Sequence, residues 1–256
     1  MHQALQRFSV DGLVTVVTGA SSGIGRHMAG MLAEAGASLV IVARRQQALD
    51  TLAEEITTLN PEAKVASVSC DLAAVTDFDA LARELSAPFG SPTRLINAAG
   101  VNFREPVDEI TQESWAQTIN LNLSVPFFLS RALVAGMKGN GSIINIASLQ
   151  SMRAFPNSMP YGASKGGVAQ LTRAMAEAWS SRGVRANAIA PGFFPTELTQ
   201  AVFDDPEKAQ ANATQTCIGR NGKLDDLTGP AVFLCSDASA YMTGQILYVD
   251  GGFTAK

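Results

Sequence analysis

The sequence predicts an α/β protein built on one doubly wound parallel sheet with helices on both faces. Short apolar, β-branched runs alternate with longer helical stretches along the chain. That is the pattern of parallel strands joined by right-handed crossovers. Charged residues make up only 16% against 46% hydrophobic, as suits central strands that meet no water. The 256 residues carry no linker, repeat or low-complexity stretch, so a single domain over 1–256 is expected.

The elements follow in order. A strand over Leu13–Thr18 leads into a helix over Gly23–Ala35. Ser38–Ala43 is a strand, and 44–59 an amphipathic helix with Leu49, Leu52, Ala53 and Ile56 on one face. Strand-like 64–70 precedes a helix at about 75–85, and 93–97 is the fourth strand. A long helix is expected over 112–137, kinked at Pro126 because proline lacks an amide donor. A strand over 142–148, a helix over 161–181 and a strand over 184–190 come next. A helix over 225–235 and a last strand over 245–249 close the pattern. The least regular stretch, 191–221, follows a strand's C-terminal end, where ligands bind in such sheets, and is a candidate substrate lid.

Composition excludes several classes. A formal charge of -4 gives no electrostatic grip on nucleic acid. No apolar run reaches membrane-span length, and Met1–Val10 holds no signal-type apolar core. Cys70, Cys217 and Cys235 are scattered and odd in number, and the histidines are His2 and His27. No metal site is expected from them. Reduced thiols fit a cytoplasmic protein.

Thr18-Gly-Ala-Ser-Ser-Gly-Ile-Gly25 follows the first strand and opens a helix. Gly19, Gly23 and Gly25 let backbone turn tightly and approach a ligand, and free amides at the helix start favour a pyrophosphate. The spacing differs from G-x-G-x-x-G. Tyr161 and Lys165 are placed to share one helix face. An unperturbed tyrosine ionises near 10, and an adjacent cation favours its phenolate.

These motifs, with Asp71, Asn97-Ala-Ala-Gly100, Asn122, Ser148, Pro191-Gly192 and Asp250-Gly-Gly252, resemble the short-chain dehydrogenase/reductase family over essentially the whole chain. The resemblance implies a Rossmann-type fold and hydride transfer between a nicotinamide cofactor and a secondary alcohol or ketone. It implies Tyr161 as the acid/base, Lys165 as its partner and ribose ligand, and Ser148 as the substrate-oxygen donor. Asn122, chosen over Asn120, implies support for a proton-relay water. For the cofactor it implies contacts from Gly19, Ser21, Ser22, Gly23, Ile24 and Gly25, from Asp71 and Leu72, and from Asn97, Ala98, Ala99 and Gly100. Tyr161 and Lys165 join them, and Pro191, Gly192, Phe194 and Thr196 meet the nicotinamide end. Dimers or, more usually, homotetramers are implied.

Cofactor choice turns on the end of the second strand. An acidic residue there would bind the ribose hydroxyls and repel a 2′-phosphate. This chain has Ala43, then Arg44 and Arg45, whose forks suit a phosphate. NADP is therefore expected, with NAD as the alternative. The family's other basic phosphate site, inside the glycine motif, is Ser22 here.

Within the family the chain looks most like gluconate 5-dehydrogenases and related sugar-acid or polyol dehydrogenases. Ser148-Leu-Gln-Ser151 and 191–199 are among the stretches that suggest it. After the serine those enzymes have an acidic residue and Leu-Gly-Arg, where this chain has Met152-Arg-Ala-Phe-Pro156. Arg104 and Arg153 are candidate carboxylate ligands, each equally readable as a solvated loop charge. Met152, Phe155, Met159, Phe193 and Phe194 would make the pocket partly apolar. A 3-oxoacyl or other small-ketone reductase is thus the second reading. A non-catalytic cofactor sensor is the third.

Overall fold

The computed structural model describes residues 3–256. Met1 and His2 lie outside the described residues, and with them the start of the Met1–Val10 stretch in which no signal-type apolar core is expected. After a short turn, α1 (Gln3–Gln6), the chain alternates β1 (Val14–Thr18), α2 (Gly23–Glu34), β2 (Ser38–Ala43), α3 (Gln46–Leu59), β3 (Val65–Ser69), α4 (Phe78–Ser86) and β4 (Arg94–Asn97). Next come α5 (Gln112–Ile119), α6 (Val125–Val134), β5 (Gly141–Ile146), α7 (Met159–Trp179) and β6 (Val184–Pro191). The chain ends with α8 (Gln200–Phe203), α9 (Pro206–Gln215), α10 (Thr228–Cys235) and β7 (Ile246–Val249). Among the described residues no helix is long and apolar enough to cross a membrane.

The strands form one seven-stranded sheet in the order β3-β2-β1-β4-β5-β6-β7, every pair parallel. Alternate strand residues feed two cores. Val17, Ile41, Ile96 and Ile144 face Met28, Leu32, Leu49 and Leu234. Val16, Val40, Leu95 and Ile143 face Leu85, Leu129, Leu133 and Trp179. Full burial of each such side chain contributes about 1.5–3 kcal/mol. All residues of β2 and β5 are buried, the two-sided burial that low charge content called for.

The sheet order reverses between β1 and β4. There the C-terminal strand ends part and leave a crevice. Thr18 pins its edges: its hydroxyl donates to the Ile96 carbonyl at 3.3 Å and accepts from the amides of Ala98 and Ala99 at 3.1 and 3.2 Å.

Three local expectations need correction. The long helix is not one helix kinked at Pro126. A π-helical turn over Asn120–Ser124 separates α5 from α6, so Pro126 falls in the first turn of a new segment, where its missing amide costs little. The fifth strand stops at Ile146 rather than Ser148, because the Ser148 hydroxyl accepts from the Gln150 amide at 3.1 Å and starts a 3-10 turn. Finally, 191–221 is less irregular than expected, since it contains α8 and α9. Asp205 caps α9 by accepting from the amides of Glu207 and Lys208 at 3.1 Å, and Pro206 supplies the favoured first helical residue.

Candidate active site

A cavity of about 520 Å³ opens along the crevice. At one end is the glycine loop. Gly19 and Gly23 hold positive φ of 69° and 55°, which only glycine adopts without strain. A Cβ on Gly19 would lie 2.8 Å from the Ala99 amide, and one on Gly25 would meet the Gly19 carbonyl. Ser22, at the N-cap of α2, makes no side-chain capping bond. The first amides of α2 therefore lack a side-chain partner beside a side-chain-free cradle. That arrangement fits a pyrophosphate.

The residues expected around a dinucleotide mostly converge here. Gly19, Ser21, Ser22, Gly23, Ile24, Gly25, Arg44, Arg45, Asp71, Leu72, Ala98, Ala99, Gly100, Pro191, Gly192, Phe194 and Thr196 all line the cavity. Asn97 does not. It lies beneath the floor, 4% exposed, donating to Asn145 at 2.9 Å and Ser130 at 3.2 Å. Asp71 lines the wall while its carboxylate caps the following 3-10 turn, accepting from the Ala73 amide at 3.1 Å.

At the other end stand Ser148, Tyr161 and Lys165. Tyr161 is in the first turn of α7 and Lys165 one turn on, which puts both on one face. The Lys165 ammonium donates to the Ile146 carbonyl at 2.6 Å and lies 5.6 Å from the Tyr161 ring centre. Burial pulls that ammonium down to about 8. Burial also pushes the Tyr161 phenol above its ordinary value, opposed by a hydrogen bond with Ser148 and by the positive charge of Arg104. The protein alone thus holds the phenol protonated.

Asn122 lies behind this pair rather than on the cavity wall. It occupies the π turn, 1% exposed. Its side chain accepts from the Val101 amide at 2.8 Å and donates to the Val101 carbonyl and the Ser164 hydroxyl at 2.9 and 3.1 Å. Ser164 in turn donates to the Tyr161 carbonyl at 2.7 Å. A Cβ on Gly100 would lie 3.1 Å from the Asn122 side-chain oxygen and 3.8 Å from the Lys165 nitrogen. Asn120 faces elsewhere and donates to the Ala73 carbonyl at 2.9 Å.

The two candidate carboxylate ligands separate. Arg104, at positive φ of 58°, lines the cavity and acts electrostatically on Tyr161. Arg153 turns away, stacking 5.3 Å over Phe253 and donating to its carbonyl at 3.4 Å. Phe155, Phe193 and Phe194 line the cavity, but Met152 and Met159 are 62% and 57% exposed and do not. Sequence reasoning missed Gln150, Asn102 and Glu197 on the wall. It also missed Phe253, which completes an aromatic cluster with Phe155 and Phe193 at 6.0 and 5.7 Å. Only the terminal position of Phe253, beside a glycine pair, hinted at it.

Residues 19–254 match a family model described as enoyl-(acyl carrier protein) reductase. Gluconate 5-dehydrogenase of Gluconobacter oxydans is 38% identical, with 97% of each chain covered. Galactitol 2-dehydrogenase (L-tagatose-forming) of Cereibacter sphaeroides is 39% identical, over 96% of this chain and 97% of the other. Among solved structures, gluconate 5-dehydrogenase of Burkholderia cenocepacia in complex with NADP and tartrate superimposes with a TM-score of 0.92 at 38% identity. That match covers 99% of this chain and all of the other.

Proposed function

The chain belongs to the short-chain dehydrogenase/reductase family, and from that premise we propose that it interconverts a sugar acid or polyol and its ketone with NADP. It is an NAD(P)-dependent oxidoreductase acting on alcohols. The observation that carries the catalytic assignment is the convergence of Ser148, Tyr161 and Lys165 on one wall of the cavity. A bound nicotinamide supplies or takes the hydride. The protein supplies orientation and the proton. Ser148 donates a hydrogen bond to the substrate oxygen. Tyr161, held protonated by burial, gives its proton to that oxygen in reduction and takes it back in oxidation. Lys165, poised at about 8, exchanges charge readily near neutrality and steadies the phenolate. Asn122 positions the helix start through Ser164 and lies beside Lys165 where a relay water would sit.

The substrate assignment rests on Arg104, a guanidinium facing the cavity near Tyr161, which suits a carboxylate. The relatives' sugar-acid and polyol names support it. The aromatic cluster of Phe155, Phe193 and Phe253 favours the second reading, a small apolar ketone. NADP is preferred over NAD because Ala43 stands where a ribose-binding carboxylate would, with Arg44 and Arg45 after it. We further assign the whole chain to one cytoplasmic domain that assembles as a homotetramer or dimer. Residues 191–221 serve as its substrate lid.

A panel of ketones with NADPH tests the reading. Turnover of 5-ketogluconate, with Arg104→Met raising its KM roughly tenfold or more and sparing a neutral ketohexose, supports the sugar-acid assignment. Turnover restricted to apolar ketones or acyl esters would replace it with the second reading.

A further inference from the structure

Arg45 stands at the C-terminal end of β2, at the N-cap of α3. Its guanidinium is already engaged. One nitrogen donates to a Glu197 carboxylate oxygen at 3.1 Å, and the other to the second oxygen at 3.0 Å. That second nitrogen also reaches the Ser21 hydroxyl at 3.2 Å. Glu197 comes from the opposite wall, 152 residues away, in the 3-10 turn that follows Thr196. Thr196 packs against the glycine loop, where a Cβ on Gly23 would lie 3.2 Å from it. The Glu197 carboxyl is held below the ordinary glutamate range, first by the Arg45 hydrogen bond, so it is an anion near neutral pH.

A fork gripping two carboxylate oxygens uses the geometry that a 2′-phosphate requires. The two anions compete for one set of donors. We propose that Glu197 is a cofactor-selectivity residue, which weakens NADP binding relative to NAD by holding the Arg45 fork that would otherwise take the 2′-phosphate. NADP must displace the carboxylate and then lie beside it, whereas NAD leaves the Arg45–Glu197 pair intact. The chain thus carries a basic phosphate site with its own counter-ion, and its preference for NADP is moderated rather than absolute. The inference rests on Arg45 being the 2′-phosphate ligand.

Both side chains are about half exposed, 53% for Arg45 and 61% for Glu197, so the expected effects are moderate and salt-dependent. Direct titration of NADPH and NADH by calorimetry, with wild type, Glu197→Gln, Arg45→Gln and the double variant, tests the proposal without turnover. Glu197→Gln should tighten NADPH about three- to tenfold and change NADH less than about twofold, with the gain shrinking in 1 M salt. Arg45→Gln should weaken NADPH roughly tenfold or more and abolish the benefit of Glu197→Gln. Unchanged NADPH affinity in Arg45→Gln would overturn the phosphate reading underneath. A strong Arg45→Gln effect with Glu197→Gln neutral, or weakening both cofactors alike as a simple clasp would, overturns the role of Glu197 alone.

Discussion

Tyr161 and Lys165 expose 9% and 5% of their surface, whereas the side chains of Arg45 and Glu197 leave 53% and 61% in water. At the first end of the cavity the polar groups are tied to backbone or to one another: Lys165 to Ile146, Asn122 to Val101, Ser164 to Tyr161. The elements there are α7, the end of β5 and the π turn, all packed in the core. At the other end, one exposed ion pair and one hydroxyl bridge a helix cap and a short 3-10 turn. Proton transfer needs groups held at a fixed distance, which packing in the core provides. Discrimination between two cofactors needs only a difference in binding, which a solvated charge supplies at small structural cost.

The largest expected effect is at the buried end. Tyr161→Phe keeps the ring in its packed place but removes the proton, so kcat should fall by about 10²–10⁴. NADPH affinity, to which the glycine loop and the arginines after β2 contribute most, should stay within about twofold. Calorimetric titration beside steady-state rates would check both. A large loss of binding would mean that the two ends are not independent.

Lys165→Met sharpens the same contrast, because the buried end should trade stability for function. The folded-state value of Lys165 is about 8, down from 10.5. Below 8 the wild type therefore carries a buried ammonium that folding disfavours. That penalty fades as pH rises from 8 to 10.5, where the unfolded state binds more protons. Lys165→Met, neutral throughout, should raise Tm at pH 7 by several degrees, and the gain should shrink by pH 10. Activity should be lost at both pH values. An equal gain at pH 7 and pH 10 would assign the effect to packing instead.

How far each end could be read from sequence follows the same division. Tyr161, Lys165 and the glycine loop are local in sequence, so helical spacing and glycine placement reveal them. Asn122 could be chosen by its place in a motif, but the π turn that buries it has no spacing signature. Its effect surfaces only in how Pro126 is accommodated. Ser148 reads as a strand end until its hydroxyl is seen capping the next turn. Arg45 was visible as a charge after β2. Its partner Glu197 was not, because the contact depends on how 191–199 folds back over the glycine loop. Asn97 illustrates the converse: its motif is plain, yet its side chain points into the core and ties β4 to β5.

Helix α2 offers an internal control at the glycine loop. A Cβ on Gly25 would press on the Gly19 carbonyl, while a Cβ on Gly30 meets nothing within 4 Å. Gly25→Ala should cost about 1–3 kcal/mol through overpacking and weaken NADPH and NADH together, because it displaces the cradle they share. Gly30→Ala should gain roughly 0.5–1 kcal/mol from helix propensity and entropy. Denaturant melts of the two variants would show opposite signs. Equal and small changes would mean that the loop yields, and that the cofactor end is soft in its backbone as well as in its charges.

The smallest effect concerns the two arginines that sequence treated as equivalent. Arg104 faces the cavity, but Arg153 is occupied by the ring and carbonyl of Phe253. Arg153→Met removes a partly exposed cation–π contact worth about 0.5–1 kcal/mol, so Tm should drop by roughly 1–4 °C. The KM for a keto acid should stay within about twofold, against the roughly tenfold rise expected of Arg104→Met. The physical reason is that a guanidinium stacked on one side and hydrogen-bonded on the other must abandon both contacts to reach a substrate. Among the described residues, the Arg104 guanidinium has no comparable tie beyond a 3.5 Å approach to the Leu198 carbonyl. Matching KM increases in the two variants would show that the Phe253 contact opens during turnover, and that the C-terminal segment moves with the substrate.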